Sequence, residues 1–264
     1  MSRKGLLGLC LLLGGLSGPC GGLAQTGPAA VSTGGSAGLA EQPASCEQAV
    51  KAQLFAHLAD FGRYAASNAA LAPPGPKERR VVFMGDSITE FWQQLDPEFF
   101  ARTDYIDRGI SGQTTLQMLL RFRADVIALK PTVVHIMAGT NDIAGNTGPM
   151  DLPGIEANIA SMVDLARANG IRVVIGSVLP ARKFPWQAQL NPGPVIGTLN
   201  QWLRRYSQAR HLIYVDYYAA MTDGALGMRA ALSSDGVHPT KEGYLIMDRL
   251  AAAALEVGTT NPPR

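Results

Sequence analysis

Short apolar runs rich in β-branched residues alternate with helical patterns along most of this chain, and this alternation limits the possible folds more than any other feature. The runs cover residues 81–84, 105–110, 132–138, 171–179 and 212–216, and the helical patterns cover 88–95, 115–128, 154–169, 195–209 and 241–255. The runs are nearly continuous in apolar residues, as in parallel strands covered by helices on both faces. With right-handed crossovers, the sequence predicts an α/β fold: a three-layer α/β/α sandwich around a five-stranded, parallel, flavodoxin-like sheet.

The first 24 residues have the pattern of a secretory signal peptide. Arg3 and Lys4 precede an apolar stretch at 6–16, and small residues follow up to Ala24. We therefore expect residues 1–24 to be a cleaved signal peptide and the protein to be secreted or periplasmic. Cys20 weakly resembles a lipoprotein acylation site, but the proline before it departs from that pattern, so we do not expect a lipid anchor.

Residues 25–45 are predicted to be a disordered linker, because they are mostly Gly, Ala, Ser, Thr and Pro and cannot bury enough apolar surface. Residues 34–38 match the GxSxG nucleophile elbow, but neither flank can form the strand or helix that the motif requires, so Ser36 is not a candidate. The folded domain is predicted over 46–258, and it begins with an amphipathic helix over 46–70.

Composition excludes several classes of function. Of the 264 residues, 47% are apolar, and 23 Lys and Arg against 21 Asp and Glu leave a net charge of only +2, so we expect one domain and no nucleic-acid partner. The 3 cysteines and 4 histidines do not occur at the spacings of a zinc site, and the sequence predicts no metal and no cofactor. After the leader, no run of about 18 apolar residues follows, which predicts no stable membrane insertion.

Four polar clusters follow strand ends or precede the last helix, and a parallel sheet would gather them at one edge. They are Gly85-Asp86-Ser87, the turn containing Gly112, the turn containing Asn141, and Asp235-Gly236-Val237-His238. Each cluster alone is compatible with an ordinary helix cap, turn or surface histidine. Together they supply a hydroxyl at a helix start, donors for a developing oxyanion, and a histidine that an acid three residues earlier can orient.

These four clusters resemble the motif blocks of the SGNH or GDSL-type serine esterases and lipases, in the same order over residues 80–255. The resemblance implies that Ser87 is the nucleophile, that Asp235 and His238 are its acid and base, and that Ser87, Gly112 and Asn141 form the oxyanion hole. Stretches 110–115 and 138–148 look like the platelet-activating-factor-acetylhydrolase-like branch, which implies short acyl groups, often acetyl. Asp107 stands where the family often has asparagine, which puts one supporting contact in doubt.

The expected function is an exported serine esterase that removes a short acyl group, acetyl above all, from a carbohydrate or another small ester through an acyl-enzyme. The alternatives are a lysophospholipase or thioesterase acting on longer chains, an acyltransferase, and a non-catalytic glycan-binding module on the same scaffold. The sequence makes no prediction of the oligomeric state. His135 is predicted to be a core histidine, and Asp86 and Asp142 to organise turns. The aromatic residues of loop 182–186 either line the cleft or pack the loop.

Overall fold

The structure is a computed structural model, and it describes residues 58–101 and 104–257. The predicted leader, the linker and the first part of the 46–70 helix lie outside the described residues. Five strands form one parallel sheet in the order β2-β1-β3-β4-β5. They are β1 (Val81–Gly85), β2 (Tyr105–Gly109), β3 (Val133–Met137), β4 (Arg172–Gly176) and β5 (Ile213–Val215). The predicted fold class, strand number and flavodoxin-like order are confirmed.

Helices cover both faces of the sheet. They are α1 (Ala65–Ala70), α2 (Ser87–Leu95), α3 (Pro97–Phe100), α4 (Thr115–Asp125), α5 (Thr140–Ile143), α6 (Leu152–Ala168), α7 (Pro192–Ala209), α8 (Tyr217–Met221) and α9 (Lys241–Val257). Two 3₁₀ turns lie at Ile127–Leu129 and Ala230–Leu232. Among the described residues, no helix is both long and apolar enough to cross a bilayer.

Each central strand divides its side chains between two hydrophobic cores. In β1, Val82 and Met84 pack into the core shared with α4, α6 and α7, while Val81 and Phe83 pack into the core shared with α2 and α9. Successive side chains of a strand point to opposite faces, so a strand covered on both faces must be apolar at every position. This double burial explains the continuous apolar runs.

The single amphipathic helix predicted over 46–70 is wrong in its described part. The backbone turns at residues 60–64 before α1 begins, and Asp60 adopts a left-handed φ of 51°. Leu58 and Phe61, expected on the buried face, are exposed. The chain instead attaches through its backbone, since Gln113 Nε2 donates to the Ala59 carbonyl (2.9 Å). Apolar spacing alone did not reveal this break.

The fourth strand is shorter than the predicted run of 171–179, because at Val178 the backbone bonds to the side chain of Asn200 instead of to a neighbouring strand. After β4 ends at Gly176, the backbone N–H and carbonyl of Val178 bond to the Asn200 carboxamide at 2.8 and 2.9 Å. The apolar residues beyond Gly176 are still buried, but they no longer extend the strand. Burial and strand pairing therefore end at different residues here.

Helix bounds differ from prediction mainly at positions that capping controls. The predicted 195–209 helix begins earlier, at Pro192, a residue suited to the first turn. The predicted 115–128 helix ends at Asp125 and continues as the first 3₁₀ turn. Three short helices, α3, α5 and α8, were not predicted. Such helices of four or five residues have too few turns to show an apolar period.

Candidate active site

Ser87 is the first residue of α2 and follows β1 after only Asp86. Asp86 is the N-cap of this helix, and its Oδ1 accepts from the Ile88 N–H (3.0 Å). The backbone around Ser87 is tightly enclosed: a Cβ on Gly109, at the end of β2, would lie 2.2 Å from the Glu90 nitrogen. The serine therefore stands at a helix N-terminus, where the dipole favours negative charge.

The structure brings Ser87, His238 and Asp235 together, although Ser87 and His238 are 151 positions apart in sequence. The Ser87 Oγ lies 2.9 Å from His238 Nε2, and His238 Nδ1 lies 2.7 Å from Asp235 Oδ2. A carboxylate can only accept at this position, so His238 carries its proton on Nδ1 and leaves Nε2 as the acceptor of the serine proton. This tautomer is the one that a general base requires.

Asp235 is held by the short loop that also carries the histidine. Its Oδ1 accepts from the backbone N–H groups of Val237 and His238, both at 2.8 Å, and from Ser233 Oγ at 3.1 Å. Partial burial alone would raise the pKa of Asp235. Hydrogen bonds from the His238 ring and from the two backbone groups outweigh it and hold that pKa well below the usual range. Asp235 is therefore ionised at neutral pH.

On the other side of Ser87, the buried Asn141 connects the turns that follow β1 and β2. Its Nδ2 donates to the Gln113 carbonyl at 3.0 Å and to Asp86 Oδ2 at 3.2 Å. Gly112 precedes Gln113, is exposed, and adopts a φ of 79°, in the left-handed region that favours glycine. Ser87, Gly112 and Asn141 thus border one region of the cleft.

Two buried side chains, those of Arg121 and Asp142, hold the turns around this region in place. The Arg121 guanidinium donates to the carbonyls of Gly85 (3.1 Å) and Arg108 (2.8 Å) and to Gln113 Oε1 (2.6 Å). Asp142 accepts from the N–H (2.9 Å) and hydroxyl (2.5 Å) of Thr115, at the start of α4. Arg121 therefore bonds to backbone at the ends of β1 and β2 and to the residue after Gly112.

Burial perturbs two carboxyl groups next to the site. It raises the pKa of Asp86 to about 6 and that of Asp107 to about 7. Asp107 Oδ1 accepts from the Gly109 N–H (2.7 Å), whereas its Oδ2 has no hydrogen-bond partner among the described residues. At this position, where the family often has asparagine, only one of the two carboxylate oxygens of Asp107 therefore has a hydrogen-bond partner among the described residues.

Aromatic rings flank the histidine. The centroid of the Phe91 ring lies 5.2 Å from that of His238, and the centroid of Trp186 lies 6.2 Å from it. Phe184 is fully buried and stacks on Trp186 at 5.2 Å, while Trp186 remains 43% exposed. Phe184 thus packs the loop, while Trp186 lies beside His238 with its indole partly exposed.

His135 is a core histidine, as predicted. It is fully buried, and its Nε2 lies 2.9 Å from the Tyr217 hydroxyl oxygen. Burial lowers the pKa of His135 to about 3, so the ring is neutral. Among the described residues, no group of three or more His, Cys, Asp or Glu side chains is arranged to hold a metal ion.

Sequence reasoning missed several residues that support the site: Ser233, Gln113, Arg121 and Asn146. Ser233 could have been found, because a serine two residues before an aspartate in a turn is a common local hydrogen-bonding pattern. Gln113 and Arg121 are 8 residues apart and bond to each other, and Arg121 also pairs with Asp125 one turn later in α4. The backbone carbonyls that these two side chains reach, however, lie in distant parts of the chain. Their roles have no local signal in the sequence.

Comparison with known families identifies the chain. Residues 83–246 match the GDSL-like lipase/acylhydrolase family, and the match includes all the residues of the cleft described above. The chain belongs to the GDSL-like lipase/acylhydrolase family. It is a carboxylic ester hydrolase of that family, and the predicted resemblance is confirmed.

Several known proteins resemble the chain over most of their own length. An acetylxylan esterase of Geobacillus stearothermophilus is 30% identical over 210 residues, 64% of this chain and 90% of the relative. The alpha2 subunit of platelet-activating factor acetylhydrolase IB from Rattus norvegicus is 29% identical over 171 residues, 64% and 72% of the two chains. The crystal structure of a GDSL-like lipase from Bacteroides thetaiotaomicron has a TM-score of 0.75 and 49% identity, covering 76% of this chain and 100% of that one.

Proposed function

We propose that this family member is a serine esterase in which Ser87, His238 and Asp235 are the catalytic triad and a short acyl group is transferred to water through an acyl-enzyme. The observation that carries the proposal is the continuous chain of contacts from Ser87 Oγ to His238 Nε2 (2.9 Å) and from His238 Nδ1 to Asp235 (2.7 Å). A histidine held in this tautomer beside a helix-start serine is the arrangement of nucleophilic acyl transfer.

In the first half of the reaction, Ser87 Oγ attacks the ester carbonyl carbon while His238 Nε2 takes the serine proton. The carbonyl double bond opens to a tetrahedral intermediate with its charge on oxygen. When the intermediate collapses, the bond to the alcohol oxygen breaks and His238 gives that oxygen its proton. Asp235 stays ionised and stabilises the imidazolium that exists between these two transfers.

The oxyanion would be met by the N–H groups of Ser87 and Gly112 and by the Asn141 carboxamide, each donor being worth about 3 kcal/mol. Both hydrogens of Asn141 Nδ2 have partners in the free enzyme, Gln113 and Asp86. One of them must be shared or released when the charge develops. The longer contact, 3.2 Å to Asp86, is the one we expect to yield.

In the second half, water replaces the alcohol. His238 Nε2 takes a proton from the water as its oxygen attacks the acyl carbon, and the second tetrahedral intermediate uses the same donors. Its collapse breaks the bond to Ser87 Oγ, which regains a proton from His238, and the carboxylic acid leaves. These steps use only side chains and backbone groups of this chain.

The proposed acyl group is short, acetyl above all, and the proposed substrate is a carbohydrate or another small ester. Two relatives of different specificity support the acyl group, since one is named an acetylxylan esterase and the other a platelet-activating factor acetylhydrolase subunit. The exposed indole of Trp186, beside His238, offers a flat apolar surface to the leaving alcohol. The leader-like pattern of residues 1–24 supports export to the periplasm or the medium.

The test begins with covalent labelling of the purified protein by a fluorophosphonate. Wild type should be labelled on Ser87, and Ser87→Ala should lose both the label and at least about 10⁴-fold in kcat for p-nitrophenyl acetate. The exposed Ser234→Ala serves as the matched control and should retain both. Labelling and turnover that survive in Ser87→Ala would remove this serine mechanism.

A chain-length series then tests the acyl group. We expect kcat/KM to fall steadily from p-nitrophenyl acetate to the C12 ester. A steep preference for long chains would instead favour the lysophospholipase or thioesterase alternative. Transfer of the acetyl group to a sugar hydroxyl in preference to water would indicate an acyltransferase, and a folded wild type that binds glycans but is neither labelled nor active would indicate a binding module.

A further inference from the structure

We infer that Asn146 is a positioning residue that fixes which end of the Asn141 carboxamide faces the substrate, and that it connects this orientation to Trp186. The inference rests on the proposed role of Asn141 in the oxyanion hole. It is carried by a chain of directional hydrogen bonds that runs from the indole at the cleft entrance to the carboxamide beside Ser87.

Asn146 lies in the loop after α5, and its backbone places it against Asn141. The loop turns through Gly145 and Gly148, which adopt φ angles of 74° and 98°. The Asn146 backbone N–H donates to the Asn141 carbonyl at 3.0 Å. Its side chain then makes three contacts: Nδ2 with Asn141 Oδ1 (2.9 Å), Nδ2 with the Gly112 carbonyl (3.2 Å), and Oδ1 with Trp186 Nε1 (3.3 Å).

The indole N–H, together with the backbone carbonyls of Gly112 and Gln113, sets the direction of this chain of bonds. An indole N–H can only donate, so the atom of Asn146 that faces Trp186 must be the acceptor Oδ1. The donor Nδ2 of Asn146 consequently faces Asn141 and Gly112. Because Asn146 Nδ2 donates to Asn141 Oδ1, the other end of that carboxamide, Asn141 Nδ2, faces Asp86 and the turn that carries Ser87.

This direction matters because a carboxamide is nearly symmetric in shape but opposite in polarity at its two ends. With Nδ2 toward the cleft, Asn141 donates to an oxyanion. With Oδ1 there, it would repel the charge. Asn146 makes the second orientation unfavourable, because a flipped Asn141 would place two NH₂ groups against each other. The bond from Asn146 Nδ2 to the Gly112 carbonyl also holds the turn that carries the Gly112 N–H, the other proposed oxyanion donor.

The test uses two substitutions at Asn146, which is exposed and is a member of neither hydrophobic core. Asn146→Ala removes all three side-chain contacts. Asn146→Asp keeps the size and the acceptor for Trp186, but its ionised carboxylate places an acceptor against Asn141 Oδ1 and the Gly112 carbonyl. A role in packing alone predicts that the isosteric substitution is the milder one, whereas a role in orientation predicts the reverse.

With p-nitrophenyl acetate at pH 8, we expect kcat to fall about 10-fold for Asn146→Ala and about 10²-fold for Asn146→Asp, with KM changed less than about threefold. The wild-type to Asn146→Asp ratio should shrink at pH 5.5, because the two acceptors that face the new carboxyl raise its pKa above the usual value of about 4, and its protonated form can again donate to Asn141 Oδ1. The ionisable groups beside this network, Asp86, Asp142 and His238, are the same in both proteins, so the ratio cancels their effect.

A matched control is Asn169, an exposed asparagine at the other end of the molecule whose Nδ2 donates to the Leu165 carbonyl. Asn169→Ala and Asn169→Asp should keep kcat within about twofold. A second measurement follows the coupling to the indole. Trp186→Phe keeps a flat aromatic ring, although a smaller one, and removes the N–H; it should lower kcat in wild type but add little in Asn146→Ala.

The inference is overturned if Asn146→Asp retains at least the activity of Asn146→Ala at pH 8, or if the loss appears in KM rather than kcat. Failure of the proposed function looks different, because wild-type hydrolysis would then not depend on Ser87. Loss of activity in Ser87→Ala together with an unaffected Asn146→Asp would therefore reject the positioning role alone.

Discussion

The two sides of the Ser87 hydroxyl are built in different ways. On one side, the base loop (residues 233–238) orients the histidine through bonds among its own six residues, as Asp235 accepts from Ser233, Val237 and His238. On the other side, Asn141 bonds to Asp86 and Gln113, which are 55 and 28 positions away. The hydrogen bonds on the His238 side thus join residues that are close in sequence, whereas those on the Asn141 side join residues that only the fold brings together.

Exposure follows the same division. The His238 and Asp235 side chains are 25% and 37% exposed, whereas Asn141 and Asp86 are only 3% and 2% exposed. The base loop, which is partly exposed and bonded mainly within itself, can lose a hydrogen bond without disturbing the core. A buried network that joins separate turns cannot, because each unpaired polar group there has no water to replace its partner. Substitutions should therefore separate activity from stability on the base side but not on the oxyanion side.

Among the substitutions that compare the two sides of Ser87, Asp235→Asn should have the largest effect. The amide can still accept from the backbone of the base loop, but it no longer favours the tautomer that leaves His238 Nε2 free. We expect kcat for p-nitrophenyl acetate to fall about 10⁴-fold, while the free energy of unfolding changes by less than about 1 kcal/mol. Steady-state kinetics and urea titration of the same preparation measure both. A stability loss above 3 kcal/mol would show that the loop is not an independent unit.

Asn141→Ala should have a smaller effect on activity and a larger one on stability. Loss of this proposed oxyanion donor should lower kcat by about 10²- to 10³-fold. The Gln113 carbonyl and Asp86 Oδ2 lose their shared donor in a buried site, which costs about 1–3 kcal/mol of unfolding free energy. Asn169→Ala, which removes an exposed carboxamide just after α6, is the control and should leave both kcat and stability nearly unchanged. An Asn141 variant of unchanged stability would contradict the proposed contrast.

The contrast also explains how much could be predicted from sequence. The sheet was predictable because continuous apolar runs require burial on both faces, and the four clusters were predictable because parallel strands end at one edge. The pairing of Asp235 with His238 could be predicted because both residues lie in one turn. The residues proposed for catalysis therefore have signals in the sequence.

The supporting network could not be predicted, because its partners meet only in the folded chain. Helix α4 shows this directly: Leu116 and Leu120 are 41% and 42% exposed, while Arg121 is completely buried. Apolar periodicity would place Arg121 in solvent. It is buried because strand ends leave carbonyl groups, at Gly85 and Arg108, that a guanidinium can satisfy, and such carbonyls have no signature in the sequence.

A third prediction concerns Asp107, a buried residue of β2, and it concerns stability alone. Burial raises the pKa of its carboxyl to about 7, whereas the carboxyl of the unfolded chain titrates near 4. Between these values the unfolded chain releases a proton that the folded protein keeps, so stability falls as pH rises from about 4 to about 7. Asp107→Asn should remove this loss and raise the unfolding free energy by about 1–3 kcal/mol at pH 8.

The Asp107→Asn effect should nearly vanish at pH 4.5, where the wild-type carboxyl is protonated in the folded protein. Urea titrations at pH 4.5 and pH 8 measure the difference. The exposed Asp164, paired with Arg210 at the surface, gives the matched control, and Asp164→Asn should change stability by less than about 1 kcal/mol at either pH. Equal effects of Asp107→Asn at both values would show that packing, not ionisation, dominates at this position.

The smallest expected effect belongs to Ser233→Ala on the base side. Ser233 Oγ donates to Asp235 Oδ1 at 3.1 Å and accepts from the Gly236 N–H at 2.9 Å. Two backbone donors remain on the same carboxylate oxygen, and Oδ2 keeps its bond to His238, so we expect kcat to fall only about 2- to 10-fold with KM unchanged. The exposed neighbour Ser234→Ala is the control. A loss approaching that of Asp235→Asn would show that this hydroxyl, rather than the backbone of the loop, sets the orientation of the acid.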